Sequence, residues 1–218
     1  MKGVFNRILN IDLNEKSFKY ENIEDSIYKK YIGGKGFGSF LLLKKNRKGT
    51  DSFSPENHLI FAIGPANGTK IHGSSRYGIF TKSPLTGFYS ESYSGGTVAP
   101  YISATGCDAI VLSGASSTPI YLEISDESVQ FKDANDLWGK DTYSTDEELK
   151  RRSPSKKCGV VVIGPAGENL VKFATLANDF WRCAGRTGTG AVMGFKKVKG
   201  IIFYGNSKKE LACPDIIQ

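Results

Sequence analysis

The chain has 218 residues, 39 % of them apolar and 23 % charged, an ordinary globular balance for one large domain or two small ones. No apolar run approaches the roughly 20 residues that span a bilayer. The start, MKGVFNRILNIDLNEKS, has neither the apolar centre nor the cleavage site of a signal peptide, so the reading is a cytoplasmic protein. A net charge of +7 suits an anionic partner, without choosing between a phosphate-bearing cofactor, an acidic protein and nucleic acid.

In chain order, residues 11–20 alternate apolar and polar around a turn and predict a β-hairpin. A glycine-containing break, Ile32-Gly33-Gly34-Lys35-Gly36, leads into a helix-like stretch from Ser39 to Lys45. A buried strand then ends in Ile63-Gly64-Pro65-Ala66, and an apolar strand, residues 110–113, is capped by Gly114. The second half repeats this order. Residues 122–131 predict a second hairpin, and Leu137-Trp138-Gly139-Lys140 precedes a helix over 144–152. The same tetrapeptide returns as Ile163-Gly164-Pro165-Ala166, and the strand 201–204 is closed by Gly205. Identical tetrapeptides at matching places argue for duplication. A period of about 100 residues is too long for a solenoid unit. A duplicated α+β domain, two repeats forming two β-sheets with short helices, fits better.

Glycine is abundant, at 25 residues, and clustered at Gly33/Gly34/Gly36, Gly95/Gly96 and Gly185/Gly188/Gly190/Gly194. Glycine lets a backbone approach a ligand closely, and the last two clusters lie near predicted helix starts, where free N–H groups favour anions. Arg76, Arg182 and Arg186 accompany these loops, and a guanidinium pairs bidentately with phosphate. Arg76 and Arg182 both follow an Ile-Gly-Pro-Ala strand, so they are expected to approach one site from related directions. On spacing alone, turn glycines beside surface arginines remain the alternative.

Other chemistry is missing. Cys107, Cys158, Cys183 and Cys213 are widely spaced and read as buried or half-buried free thiols, not as ligands of zinc or an iron–sulfur cluster. His58 is expected to face solvent, and His72 lies in the Arg76 loop. The lysines are expected on solvated faces, with one basic group over Lys150–Arg152, Lys156 and Lys157. There is no HExxH, GxSxG or P-loop, and the GxGxxxG run from Gly188 to Gly194 is a weak dinucleotide signal. The chain offers places to hold an anion but no acid, base or nucleophile, so any chemistry would belong to a bound cofactor.

Several segments resemble the amino-terminal domain of the aldehyde:ferredoxin oxidoreductase family. They include Gly33-Gly34-Lys35-Gly36, Lys82-Ser83-Pro84-Leu85-Thr86-Gly87-Phe88, Trp138-Gly139-Lys140, Gly164-Pro165-Ala166-Gly167-Glu168-Asn169-Leu170 and Arg182-Cys183-Ala184-Gly185-Arg186. The likeness runs over roughly residues 4–207. It implies two intertwined repeats over 1–207, forming the base for a tungsten (or molybdenum) bis-molybdopterin cofactor, with residues 208–218 a linker to missing C-terminal domains. By similarity, Arg76, Tyr93, Gly95, Gly96, Arg182, Cys183, Gly185 and Arg186 line the cofactor. The backbone carbonyls of Tyr93 and Cys183 face a magnesium ion bridging its phosphates. Tyr93 stands where some members carry asparagine, which puts any side-chain contact there in doubt.

The resemblance further implies an aldehyde substrate, ferredoxin as electron acceptor, and a 4Fe-4S cluster not ligated by this chain. It points to neither nucleic acid nor membrane as a partner and leaves a homodimer open. The alternatives are a standalone pterin-cofactor carrier, a subunit of a split enzyme, or a nucleotide-binding domain using the GxGxxxG run.

Overall fold

A computed structural model describes residues 1–217. Strands β1 (Arg7–Asp12) and β2 (Ser17–Asn22) form the first expected hairpin, with Asp12 opposite Ser17. Its turn is closed by Asp12 Oδ1, which accepts the N–H groups of Asn14 (2.9 Å) and Glu15 (3.2 Å). Strands β7 (Ile120–Ile124) and β8 (Val129–Asp133) form the second, and there Ser125 Oγ accepts from Glu127 and Ser128.

The remaining strands of the first half are β3 (Leu59–Ile63), β4 (Arg76–Lys82), β5 (Tyr89–Gly95) and β6 (Ala109–Ser113). Those of the second are β9 (Gly159–Val162), β10 (Leu176–Asn178), β11 (Arg182–Ala184) and β12 (Val198–Phe203). One six-stranded sheet runs β2-β1-β6-β3-β4-β5, and the other, read in the same sense, runs β8-β7-β12-β9-β10-β11. In each sheet the parallel pair is the same: β1 with β6, and β7 with β12. The Ile-Gly-Pro-Ala segments leave counterpart strands, and Ile63 and Ile163 each donate to a carbonyl, of Asp108 and Lys199 respectively, at 3.0 Å. The duplication read from the sequence is the architecture.

Alternation within the strands sets the layers. Leu59, Phe61 and Ile63 face a core shared by both sheets, while Ile60 and Ala62 face outward. Two short helices, α3 (Val98–Ala104) and α6 (Thr189–Phe195), contribute Val98, Ala99, Ile102, Val192 and Met193 to the shared core and interlock the repeats. The outer face of the first sheet is covered by α1 (Asp25–Tyr31) and α2 (Gly34–Lys45) through Tyr28, Phe37, Leu41 and Leu42. The outer face of the second is covered by Leu149 of α4 (Thr142–Arg152), whose N-cap Asp141 accepts the Ser144 N–H at 2.8 Å.

One sequence expectation changes here. The glycine run after Ile32 is not a break: α2 begins at Gly34. Gly38 lies against the Phe80 ring so closely that any Cβ would overlap it, and packing overrides glycine's poor helix propensity. Two glycines of α6 are likewise closely packed. A Cβ on Gly190 or Gly194 would strike the carbonyls of Thr175 or Gly167, on the segment that follows α5 (Pro165–Glu168) and within α5 itself. Gly194→Ala tests this. Helix propensity favours alanine by about 1 kcal/mol, but overpacking costs about 1–3 kcal/mol. A net loss of up to about 2 kcal/mol in urea unfolding is expected, and a gain would show that α6 has room.

Residues that read as surface are also inside. Lys196 and Lys199 are fully buried. Lys199 Nζ pairs with Glu168, which also accepts the Gly139 N–H at 2.8 Å, and donates to the Lys140 carbonyl at 2.7 Å. Towards the end of the chain, Glu210 O accepts the Gly3 N–H at 2.7 Å. Gln218, the last residue of the segment read as a linker, lies outside the described residues. Among the described residues no helix is long and apolar enough to cross a membrane.

Candidate functional site

The edge strands β5 and β11, one from each repeat, meet where the two sheets come together. Strand β5 alternates strictly. Ser90, Ser92 and Ser94 are buried and face the second repeat: Ser90 bonds Thr187, Ser92 donates to the Gly185 carbonyl, and Ser94 donates to Asn178 Oδ1 at 2.6 Å. Ser83 adds a bond to the Thr187 carbonyl at 2.7 Å. This polar seam fixes the loop from Gly185 to Gly188 onto the first sheet.

The other face of β5 points to the outer layer. Glu91 pairs with Lys35 of α2 at 2.8 Å, and Tyr93 donates to Glu91 at 3.2 Å while its ring meets Phe80 edge-on. Burial, and then the Glu91 charge, push the Tyr93 hydroxyl above the usual phenol range. The Tyr93 side chain is thus engaged beneath α2, and only its backbone is left to the seam.

Arg76 sits opposite Gly95 in the β4–β5 register. A Cβ placed on Gly95 would lie 3.6 Å from Arg182 Nη1 and 3.9 Å from Arg76 Cγ. Gly96, at φ +95°, has Asp179 and Arg182 filling the space a side chain would need. The structure therefore brings Arg76, Gly95, Gly96 and Arg182 together. Cys183 is exposed on β11 beside Arg182, and Arg186 is exposed on the stitched loop. Arg76 and Arg182 are not symmetry counterparts, contrary to the sequence expectation. Arg76 heads β4, whose counterpart is β10, and Arg182 heads β11, whose counterpart is β5; they meet because β5 joins both. The counterpart strands are the ones that carry Tyr93 and Cys183.

Among the described residues, none of Arg76, Arg182 and Arg186 forms an ion pair. Asp179 lies close to Arg182, but its carboxylate is occupied: it accepts the Thr97 N–H (2.7 Å), the Thr97 hydroxyl (2.6 Å) and the Asn178 amide (3.1 Å). The rim carries guanidinium groups held in no ion pair among the described residues, with the Asp179 charge close to Arg182 as a partial counterweight, and these groups offer anions forked donors. No group of His, Cys, Asp or Glu able to hold a metal occurs among the described residues.

A family model for the aldehyde ferredoxin oxidoreductase N-terminal domain matches residues 8–205. The chain belongs to this family. It is 42 % identical over 212 residues to the tungsten-containing aldehyde ferredoxin oxidoreductase of Pyrococcus abyssi, covering 97 % of this chain and 35 % of that one. It is 29 % identical over 215 residues to the aliphatic sulfonate oxidoreductase, WOR-like subunit, of Pyrococcus furiosus, covering 92 % of this chain and 34 % of that one. Among solved structures, the active-site complex BamBC of benzoyl coenzyme A reductase with 1,5-dienoyl-CoA superposes with a TM-score of 0.91 at 34 % identity, over 96 % of this chain and 32 % of that chain. The chain thus spans about a third of the length of these relatives.

The runs that carry the family resemblance have structural reasons here. Ser83 of the Lys-Ser-Pro-Leu-Thr-Gly run binds the seam loop and accepts the N–H groups of Leu85 and Thr86. Glu168 of the Gly-Pro-Ala-Gly-Glu-Asn-Leu run holds Lys199 and the Gly139 N–H. Of the two histidines, His72 is exposed in the loop before Arg76. His58 is half-buried rather than solvent-facing, contacts Asn46 at 2.7 Å, and is held down to about 4 by burial and then by Lys196. Cys183 and Cys213 are exposed thiols, not buried ones. Residues that sequence reading missed are Asn178, Asp179, Thr97 and the β5 serines; their one sequence signal is the every-second-residue serine in Tyr89–Gly95.

Proposed function

We propose that this domain is the platform for a bis-molybdopterin cofactor carrying tungsten or molybdenum, within an enzyme that oxidises aldehydes. The observation that carries the reading is the pair Arg76 and Arg182 set around Gly95 and Gly96, with Arg186 exposed on the loop stitched to the same strand, all three free of ion pairs among the described residues. Such a rim fits phosphate-bearing ligands. The absence of a side-chain metal cluster among the described residues fits a metal held by the sulfurs of its own cofactor.

In this reading the guanidiniums bind the phosphates, and Gly95, Gly96 and Gly185 let the backbone lie close beneath the cofactor. The backbone carbonyls of Tyr93 and Cys183, on counterpart strands, would offer oxygen to a magnesium ion, a hard cation that prefers such donors. The loaded cofactor supplies the two-electron oxidation of an aldehyde and water to a carboxylic acid, with release of two protons. A 4Fe-4S cluster and the substrate pocket belong to further domains or a partner subunit, and ferredoxin takes the electrons.

The test is elemental analysis of the whole protein, purified from cells supplied with tungstate and molybdate, together with a fluorescence assay for oxidised pterin and aldehyde-dependent dye reduction. About one metal and two pterins per chain, with activity, are expected. Neither metal bound would sink the reading, and pterin without activity in the whole protein would favour a carrier. Arg182→Ala removes a charge-assisted bond of about 1.5–3 kcal/mol. Cofactor retention should fall about 10- to 100-fold, read as metal and pterin content after dialysis.

A further inference from the structure

Asn178 is completely buried at the end of β10, yet its amide uses its full hydrogen-bonding capacity, three of the four bonds crossing the seam. Its Oδ1 accepts from Tyr77 (2.9 Å) and Ser94 (2.6 Å), on β4 and β5 of the other repeat. Its Nδ2 donates to the Gly95 carbonyl (3.0 Å) and to Asp179 (3.1 Å). Asp179 in turn holds both the N–H and the hydroxyl of Thr97. Two adjacent residues of the second repeat therefore grip the Gly95-Gly96-Thr97 turn of the first. Asp179 and Phe180 both sit at positive φ, 48° and 62°, a conformation that costs a non-glycine residue about 1–2 kcal/mol.

We infer that Asn178 and Asp179 are positioning residues of the rim: they lock the Gly95–Gly96 turn beside Arg182 and keep that guanidinium free for a phosphate. The inference rests on the cofactor-platform reading. Its chemistry has a distinctive sign. A carboxylate beside an anion site weakens anion binding by charge alone, so removing Asp179 should tighten it if Asp179 is a bystander. If Asp179 positions the turn, removing it should loosen binding despite the lost negative charge. Asparagine in its place removes the charge yet can keep both contacts with Thr97, its Oδ1 accepting the N–H and its Nδ2 donating to the hydroxyl, which turns to accept.

The experiment is calorimetric titration of the 218-residue chain with inorganic pyrophosphate, a stand-in for adjacent phosphoryl groups, at fixed low salt. Asp179→Asn is expected to bind at least as tightly as wild type, and Asp179→Ala about fivefold or more weakly, with both variants folded by circular dichroism. Asn178→Leu should follow Asp179→Ala. The double variant Tyr77→Phe/Ser94→Ala, which loses the acceptor side of the amide but keeps its bond to Gly95, should bind within about twofold of wild type. Arg182→Ala is the control for the underlying reading. If wild type fails to bind pyrophosphate, or Arg182→Ala binds it as wild type does, the rim reading fails and takes the inference with it. If Arg182→Ala loses binding but Asp179→Ala binds as tightly as Asp179→Asn, the rim stands and the positioning role is overturned.

Discussion

Replacing Glu168 with alanine should cost about 3–5 kcal/mol of folding stability. The partner explains the size. Lys199 has a fully buried side chain, and Glu168 is only 4 % exposed. Burial pulls the Lys199 ammonium below its usual range, and Glu168 and Asp141 oppose that pull. Without Glu168 the ammonium keeps only the Lys140 carbonyl, and the Gly139 N–H loses its acceptor. The pair itself need not be strongly stabilising, because taking both charges from water offsets much of their attraction. The cost belongs to breaking it. The double variant Glu168→Leu/Lys199→Met should therefore recover most of the loss. Urea unfolding of the two singles and the double, read as a mutant cycle, decides the matter. A loss under 1 kcal/mol for Glu168→Ala would mean that water reaches Lys199.

That pair also shows where sequence reading stops. The hairpins were legible because alternation around Asp12–Ser17 and Ile124–Val129 is local, and the duplication was legible because Ile-Gly-Pro-Ala recurs at counterpart strands. Nothing local marks Lys196 and Lys199 as buried, since a run such as Phe195-Lys196-Lys197-Val198-Lys199 reads as an ordinary surface stretch. Their partners lie far off in sequence, at Gly114 and Glu168. The glycine clusters were open for a related reason. Glycine marks close approach, but sequence does not say to what; at Gly36 it is the Tyr31 carbonyl and at Gly194 that of Gly167, while Gly95 lies against Arg76 and Arg182. In the rim, Arg76 and Arg182 stood out as arginines beside glycines, and family resemblance singled out Tyr93 and Cys183. The serine face of β5 stayed hidden, because an apolar-in rule would bury Tyr89 and Tyr93 and expose Ser90, Ser92 and Ser94. The fold does the reverse, since the seam is a polar interface between two halves of one domain.

The second buried lysine should make stability depend on pH. Lys196 Nζ donates to the Gly114 carbonyl at 2.8 Å and reaches the Pro55 carbonyl at 3.4 Å, and no carboxylate pairs with it among the described residues. Burial holds it down to about 7, with Asp12 opposing weakly. An unfolded lysine titrates near 10.4. Between those values the unfolded chain binds a proton that the folded chain lacks, so stability rises with pH across the window and the penalty is present in full below about 7. The Lys196 contribution should grow by on the order of 3 kcal/mol between pH 6.5 and pH 9.5. Other groups act in the same range, among them Lys199, which burial also lowers. Lys209, held down to about 8 by burial, adds a slope of the same sign. Cys107, pushed up to about 11, acts oppositely once unfolded thiols ionise. His58, at about 4, stays neutral throughout. Comparison with Lys196→Met removes these common terms. Methionine fills similar volume without charge and leaves the Gly114 carbonyl short of a donor, while Pro55 keeps the Gly114 N–H at 2.9 Å. The wild type should therefore gain on the variant steadily as pH rises, measured by urea midpoints at four pH values. A constant gap would mean that Lys196 stays charged in the fold, stabilised by water or by Asp12 across the repeat boundary.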